Sequence, residues 1–127
     1  MTNNILIIGS GSIAKRHYKI CKTLFNKVFI YSKNEKRRKY LKEKGYIVLE
    51  KFKDNFDLII IASAAVEHIN DLKKYAEFSK KIIIEKPLIS YQHFSNNFFK
   101  IEAENIIIGF NKRFEKGIIK LKELLTD

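Results

Sequence analysis

Gly9-Ser10-Gly11-Ser12-Ile13-Ala14 follows an apolar run at 5–8 and precedes a stretch of helical period, so a glycine-rich bend stands where a strand hands over to a helix. Its residue types suit a pyrophosphate. Gly9 permits a tight turn, Gly11 leaves no Cβ in the way of a ligand approaching the backbone, and the small Ala14 lets the helix pack closely on the strand. Unpaired N–H groups at the helix N-terminus and the positive end of the helix dipole favour negative charge there, so the pyrophosphate is expected to rest on Gly9 to Ile13. The alternative is a glycine turn that only packs. In NAD binders an Asp or Glu usually ends the second strand about 20 residues on and holds the adenosine ribose. Here that strand ends Tyr31-Ser32-Lys33-Asn34, without a carboxylate. Ser32 can hydrogen-bond a 2′-phosphate and Lys33, Arg37 or Arg38 can neutralise it, so NADP(H) is expected in preference to NAD(H). NAD(H) stays open, because Glu35 offers a nearby carboxylate and the two arginines could equally sit on a solvated helix face.

Two more segments follow later apolar runs: Ser63-Ala64-Ala65-Val66-Glu67-His68 after 58–61, and Glu85-Lys86-Pro87 after 82–84. Both fall at the C-terminal strand edge, where ligands bind in open α/β sheets. The elements positioning them read as short β-branched runs alternating with helical stretches, the sign of parallel strands joined by crossover helices. Six strands are expected, at 5–8, 28–31, 46–48 (the weakest), 58–61, 82–84 and 106–108, in the order 3-2-1-4-5-6. The helical faces are Ile13, His17, Ile20, Cys21 and Leu24; Tyr40 and Leu41, with Gly45 as a stop; Val66, Ile69, Leu72 and Ala76; and Phe94, Phe98 and Ile101, capped by Ser90. A last amphipathic helix runs over 115–125. The fold class is therefore a Rossmann-type, doubly wound α/β domain with a mainly parallel six-stranded sheet and helices on both faces.

Composition narrows the function classes. At 127 residues the chain is one domain's worth, and 46% hydrophobic content supports a core. Lys+Arg 25 against Asp+Glu 14 gives +11 at pH 7, but only Arg16, Arg37, Arg38 and Arg113 are arginines, and scattered lysines read as solubilising. No nucleic-acid motif supports a basic-protein reading. No run reaches the ~20 apolar residues that span a bilayer, and no leader is evident. A single Cys21 excludes an internal disulfide, which suits a cytoplasmic protein. Neither Cys21 nor His93 has metal-ligand spacing with other residues, so no metal is expected.

The bend from Gly9 to Ala14 with His17, the Glu85-Lys86-Pro87 motif, and Phe110-Asn111-Lys112-Arg113-Phe114 occur in the order and spacing of the glucose-fructose oxidoreductase and inositol dehydrogenase (Gfo/Idh/MocA) family, which the chain resembles over essentially its whole length. The resemblance implies hydride transfer between a nicotinamide dinucleotide and a sugar-like or cyclitol substrate. It assigns Lys86 as the catalytic residue, pointing at the reacting hydroxyl or carbonyl. Pro87 shapes that turn and Glu85 could hold the Lys86 ammonium. His68 matches the histidine of the family's loop after the fourth strand, although Ser63-Ala64 replaces the usual Thr-Pro. Arg113 matches an arginine near the cofactor. His17 reads more readily as a packed core residue than as a functional one.

In the resembling family a second, β-rich domain follows and forms the substrate wall. Residues 1–112 are thus expected to be the dinucleotide-binding domain, and 113–127 a crossover helix leading toward a substrate domain that this sequence lacks. A homodimer or a partner chain supplying that domain is expected for catalysis; the alternative is a stand-alone coenzyme-binding or redox-sensing module.

Overall fold

The computed structural model describes residues 4–53, 55–89, 105–110 and 114–125. Among these, β1 (Asn4–Ile8), β2 (Lys27–Tyr31), β3 (Leu58–Ile61), β4 (Lys81–Glu85) and β5 (Asn105–Gly109) form one sheet in the order β2-β1-β3-β4-β5, with every neighbouring pair parallel. Helix α1 (Ser12–Leu24) joins β1 to β2, α2 (Glu35–Glu43) follows β2, α3 (His68–Tyr75) lies between β3 and β4, and α4 (Lys116–Leu125) follows β5.

The inner strands β1, β3 and β4 are built mostly of isoleucine and leucine because both sheet faces are covered there. Ile5 and Ile7 point to one face, where they meet Ala14, Tyr18 and Cys21 of α1 and Leu41 of α2. Leu6 and Ile8 point to the other, against Leu72 and Tyr75 of α3 and against Phe56. Each fully buried aliphatic side chain contributes about 2 kcal/mol, so the period-2 alternation along β1 supports two separate cores. Burial also pushes the Tyr75 hydroxyl up to about 12 and raises the Cys21 thiol.

Six strands were expected and five are seen among the described residues. At 46–48 the chain makes a single bridge, Ile30 to Val48, in which Ile30 N–H donates to the Ile47 carbonyl (3.0 Å) and Leu49 N–H to that of Ile30 (2.9 Å). It keeps the outer place beside β2, so the expected order survives with its third member shortened. After the Gly45 turn (φ +82°) the run Tyr46 to Leu49 meets β2 at that one bridge only.

The expected face of α1 is rotated. Cys21 is buried, but Ile13, Ile20 and Leu24 are exposed, and the stripe that packs is Ala14, Tyr18 and Cys21. Small Ala14 allows the close approach to the sheet, and Tyr18 reaches across to accept the Ile47 N–H (3.0 Å). In α2 Leu41 is buried and Tyr40 exposed; in the next segment Ile69 and Leu72 are buried and Val66 exposed. The helix expected over Phe94, Phe98 and Ile101 and its Ser90 cap lie outside the described residues. None of α4 is buried, and no described helix is long and apolar enough to cross a membrane.

Candidate functional site: a cleft over the C-terminal strand ends

The C-terminal ends of β1, β2, β3 and β4 surround one cleft of about 1040 Å³. The bend from Gly9 to Ile13 forms its floor, Ser32, Lys33 and Arg37 one end, Ser63 and Ala64 a wall, and Glu85 and Lys86 the other end.

The shape of the bend follows from its glycines. Gly9 adopts φ +133°, and a Cβ there would lie 2.4 Å from the Ala62 carbonyl oxygen, so β1 leaves the sheet in contact with the end of β3. A Cβ at Gly11 would meet nothing within 4 Å, because that residue faces the cleft. Gly11 also caps α1 with no side-chain hydrogen bond and no acidic residue in the first turn. Uncapped amides and the helix dipole therefore point into a space open enough for a diphosphate, and the residues present fit a dinucleotide.

At the β2 end, Ser32 is buried, 3.5 Å Oγ to Oγ from Ser10. Arg38 is withdrawn from any ligand: its Nη1 donates to the Ser32 carbonyl (2.7 Å) and the Lys33 carbonyl (2.9 Å), bracing the turn. Arg37 is exposed and lines the cleft. Lys33 was one of three basic residues expected to neutralise a 2′-phosphate. Its ammonium lies 2.7 Å from Glu67 Oε2 and 2.5 Å from Asp71 Oδ1. Burial works against that charge, but hydrogen bonds and attraction from Asp71 and Glu67 outweigh it and hold the lysine above its usual range. Neither acid was singled out in the sequence. Asp71 was findable, since it shares the spacing of His68, Leu72 and Tyr75 and so falls on the buried face of α3.

Ser63 donates to Asp71 Oδ2 (2.5 Å). His68, expected to line the coenzyme, borders the cleft but is buried at 1% exposure. Its Nδ1 lies 2.7 Å from the Pro87 carbonyl oxygen and its Nε2 3.0 Å from that of Ser63. The ring thus sits between the loop after β3 and the turn after β4, within reach of a carbonyl on each. The Lys86–Pro87 bond is cis.

Glu85 does not hold Lys86. Its Oε1 lies 2.7 Å from His17 Nε2, and the pair links α1 to the end of β4. His17 is thereby a partly exposed cleft residue rather than a core one. Among the described residues Lys86 has no ion pair and is exposed at the rim. Arg113 lies outside the described residues.

A parallel sheet with a glycine bend at the start of its first helix and a cleft across its strand ends defines a nucleotide-binding α/β domain of the Rossmann type. The sequence profile of the Gfo/Idh/MocA group, described as an oxidoreductase family with an NAD-binding Rossmann fold, matches residues 3–106, and the chain belongs to that family. It is 22% identical over 142 aligned positions to an inositol 2-dehydrogenase/D-chiro-inositol 3-dehydrogenase of Halalkalibacterium halodurans, an alignment taking in 100% of this chain and 41% of that protein. A probable dehydrogenase of Thermotoga maritima superposes with a TM-score of 0.73 at 26% identity, over 97% of this chain and 40% of its own. The myo-inositol dehydrogenase of Lactobacillus casei, solved with NAD(H) and myo-inositol, superposes at 0.75 and 19% identity, over 99% of this chain and 42% of its own. The chain therefore spans about two fifths of the length of these relatives.

Proposed function

We propose that this chain is the coenzyme-holding part of an oxidoreductase that moves hydride between a nicotinamide dinucleotide and a sugar or cyclitol, with NADP(H) preferred. One observation carries the reading: an uncapped helix start over a Gly9–Gly11 bend, opening into a cleft that runs on to Lys86. A bound nicotinamide would supply or accept the hydride. The first-turn amides of α1 hold the diphosphate, and Ser63 and Ala64 flank it. Ser32 and the exposed Arg37 favour a 2′-phosphate at the β2 end, where β2 itself supplies no carboxylate. At the other end Lys86 offers an ammonium to the reacting oxygen, stabilising developing negative charge and passing a proton.

A dry, oriented approach to the nicotinamide requires a second domain or partner chain, or a second copy, docking on the apolar surface of Phe110, Phe114 and α4. Fluorescence titration with NADPH and NADH tests the reading. Micromolar binding of both, NADPH the tighter, is expected, together with loss of binding on Gly11→Val. Tighter NADH binding would remove the NADP preference, and absence of binding would remove the function. Substituting Lys86→Ala should leave coenzyme affinity within about threefold and lower turnover by the completed enzyme at least ~100-fold.

A further inference from the structure

Lys33 reaches from the end of β2 across the top of β1 to two carboxylates, one on α3 and one in the turn leading into it. They differ in kind. Asp71 is fully buried, fixed through Oδ2 by the Ser63 hydroxyl, and cannot leave. Glu67 is nearly half exposed and lies on the cleft lining. Two carboxylates thus share one ammonium at the end of the cleft where Ser32 and Arg37 await the adenosine ribose. A ribose hydroxyl can donate to Glu67 there, whereas a 2′-phosphate must share Lys33 with two anions.

We propose that Glu67, working through Lys33 and anchored by Asp71, sets the coenzyme selectivity of this cleft, narrowing a preference for the 2′-phosphorylated dinucleotide that Ser32 and Arg37 create. This rests on the dinucleotide reading above and adds residues outside the usual position for coenzyme choice, the end of β2. The acceptor that β2 lacks is supplied from beyond β1, by the segment after β3. Removing the Glu67 charge leaves Lys33 held by Asp71 alone and free to turn one N–H toward a phosphate.

Calorimetric titration of NADPH and NADH against the 127-residue chain, Glu67→Gln and Glu67→Gln/Lys33→Met tests it. Glu67→Gln, at a partly exposed position, should raise the ratio of NADH to NADPH dissociation constants about tenfold, the effect of removing one charge near a phosphate dianion. Adding Lys33→Met should erase most of that gain, because the effect passes through the ammonium. A general structural role would change both affinities alike and leave the ratio unmoved. A ratio within twofold of the parent, or a gain that persists without Lys33, would overturn the proposal while leaving dinucleotide binding intact. Failure of the parent chain to bind either coenzyme would overturn both.

Discussion

Helices α1 and α2 both begin at the rim of the same cleft, and their N-termini are built in opposite ways. Asn34 caps α2, its Oδ1 accepting the Arg37 N–H at 3.0 Å, and Glu35 adds a carboxylate to the first turn. Gly11 caps α1 with no side chain, no acid follows in the first turn, and the space beyond is open. A glycine cap forgoes about 0.3 kcal/mol of what an Asn, Asp or Ser would contribute, and leaves the amides open. One end is satisfied from within the chain, and the other is available to an anion from outside. The difference separates a helix that serves the fold from one that also serves the site.

Three substitutions sharpen or break that contrast. The largest effect is expected from Gly9→Ala, which forces a Cβ to 2.4 Å from the Ala62 carbonyl at a positive φ. It should cost about 3 kcal/mol, seen as a melting midpoint lowered by roughly 10 °C, and a shift under 2 °C would contradict the geometry. Next is Gly11→Asp, which gives α1 the cap and charge that α2 already has. The apo chain should gain about 0.5–1 kcal/mol in denaturant unfolding while coenzyme affinity falls at least ~100-fold. Retained affinity would mean that the α1 amides are not the anion site. Smallest is Asn34→Ala, which should cost about 1 kcal/mol by the same unfolding assay and change coenzyme affinity less than threefold.

The sequence was most legible where the chemistry is local. Gly9 to Ala14 and Glu85 to Pro87 each lie within one turn, and the parallel order followed from isoleucine runs separated by helices. Contacts distant in sequence were not legible. Lys33 meets Glu67, 34 positions away, and His17 meets Glu85, 68 positions away, so Lys33 could be read as a phosphate partner and Glu85 as a partner of Lys86. The face of α1 was misread because the helix carries two apolar stripes one residue apart. Ile13, Ile20 and Leu24 are the bulkier set, yet only Ala14 is small enough to let α1 lie against β1 and β2. The segment at 46–48 meets β2 at one bridge only, which its apolar residues alone did not foretell.

The central claim is that an anionic coenzyme rests on the bend after β1. A crystal structure of the chain grown with excess NADPH tests it most directly. The account predicts diphosphate oxygens within about 3 Å of the amides at the start of α1, with the nicotinamide toward Lys86. Coenzyme bound elsewhere, with that bend filled by the chain's own side chains or left to solvent, would contradict it.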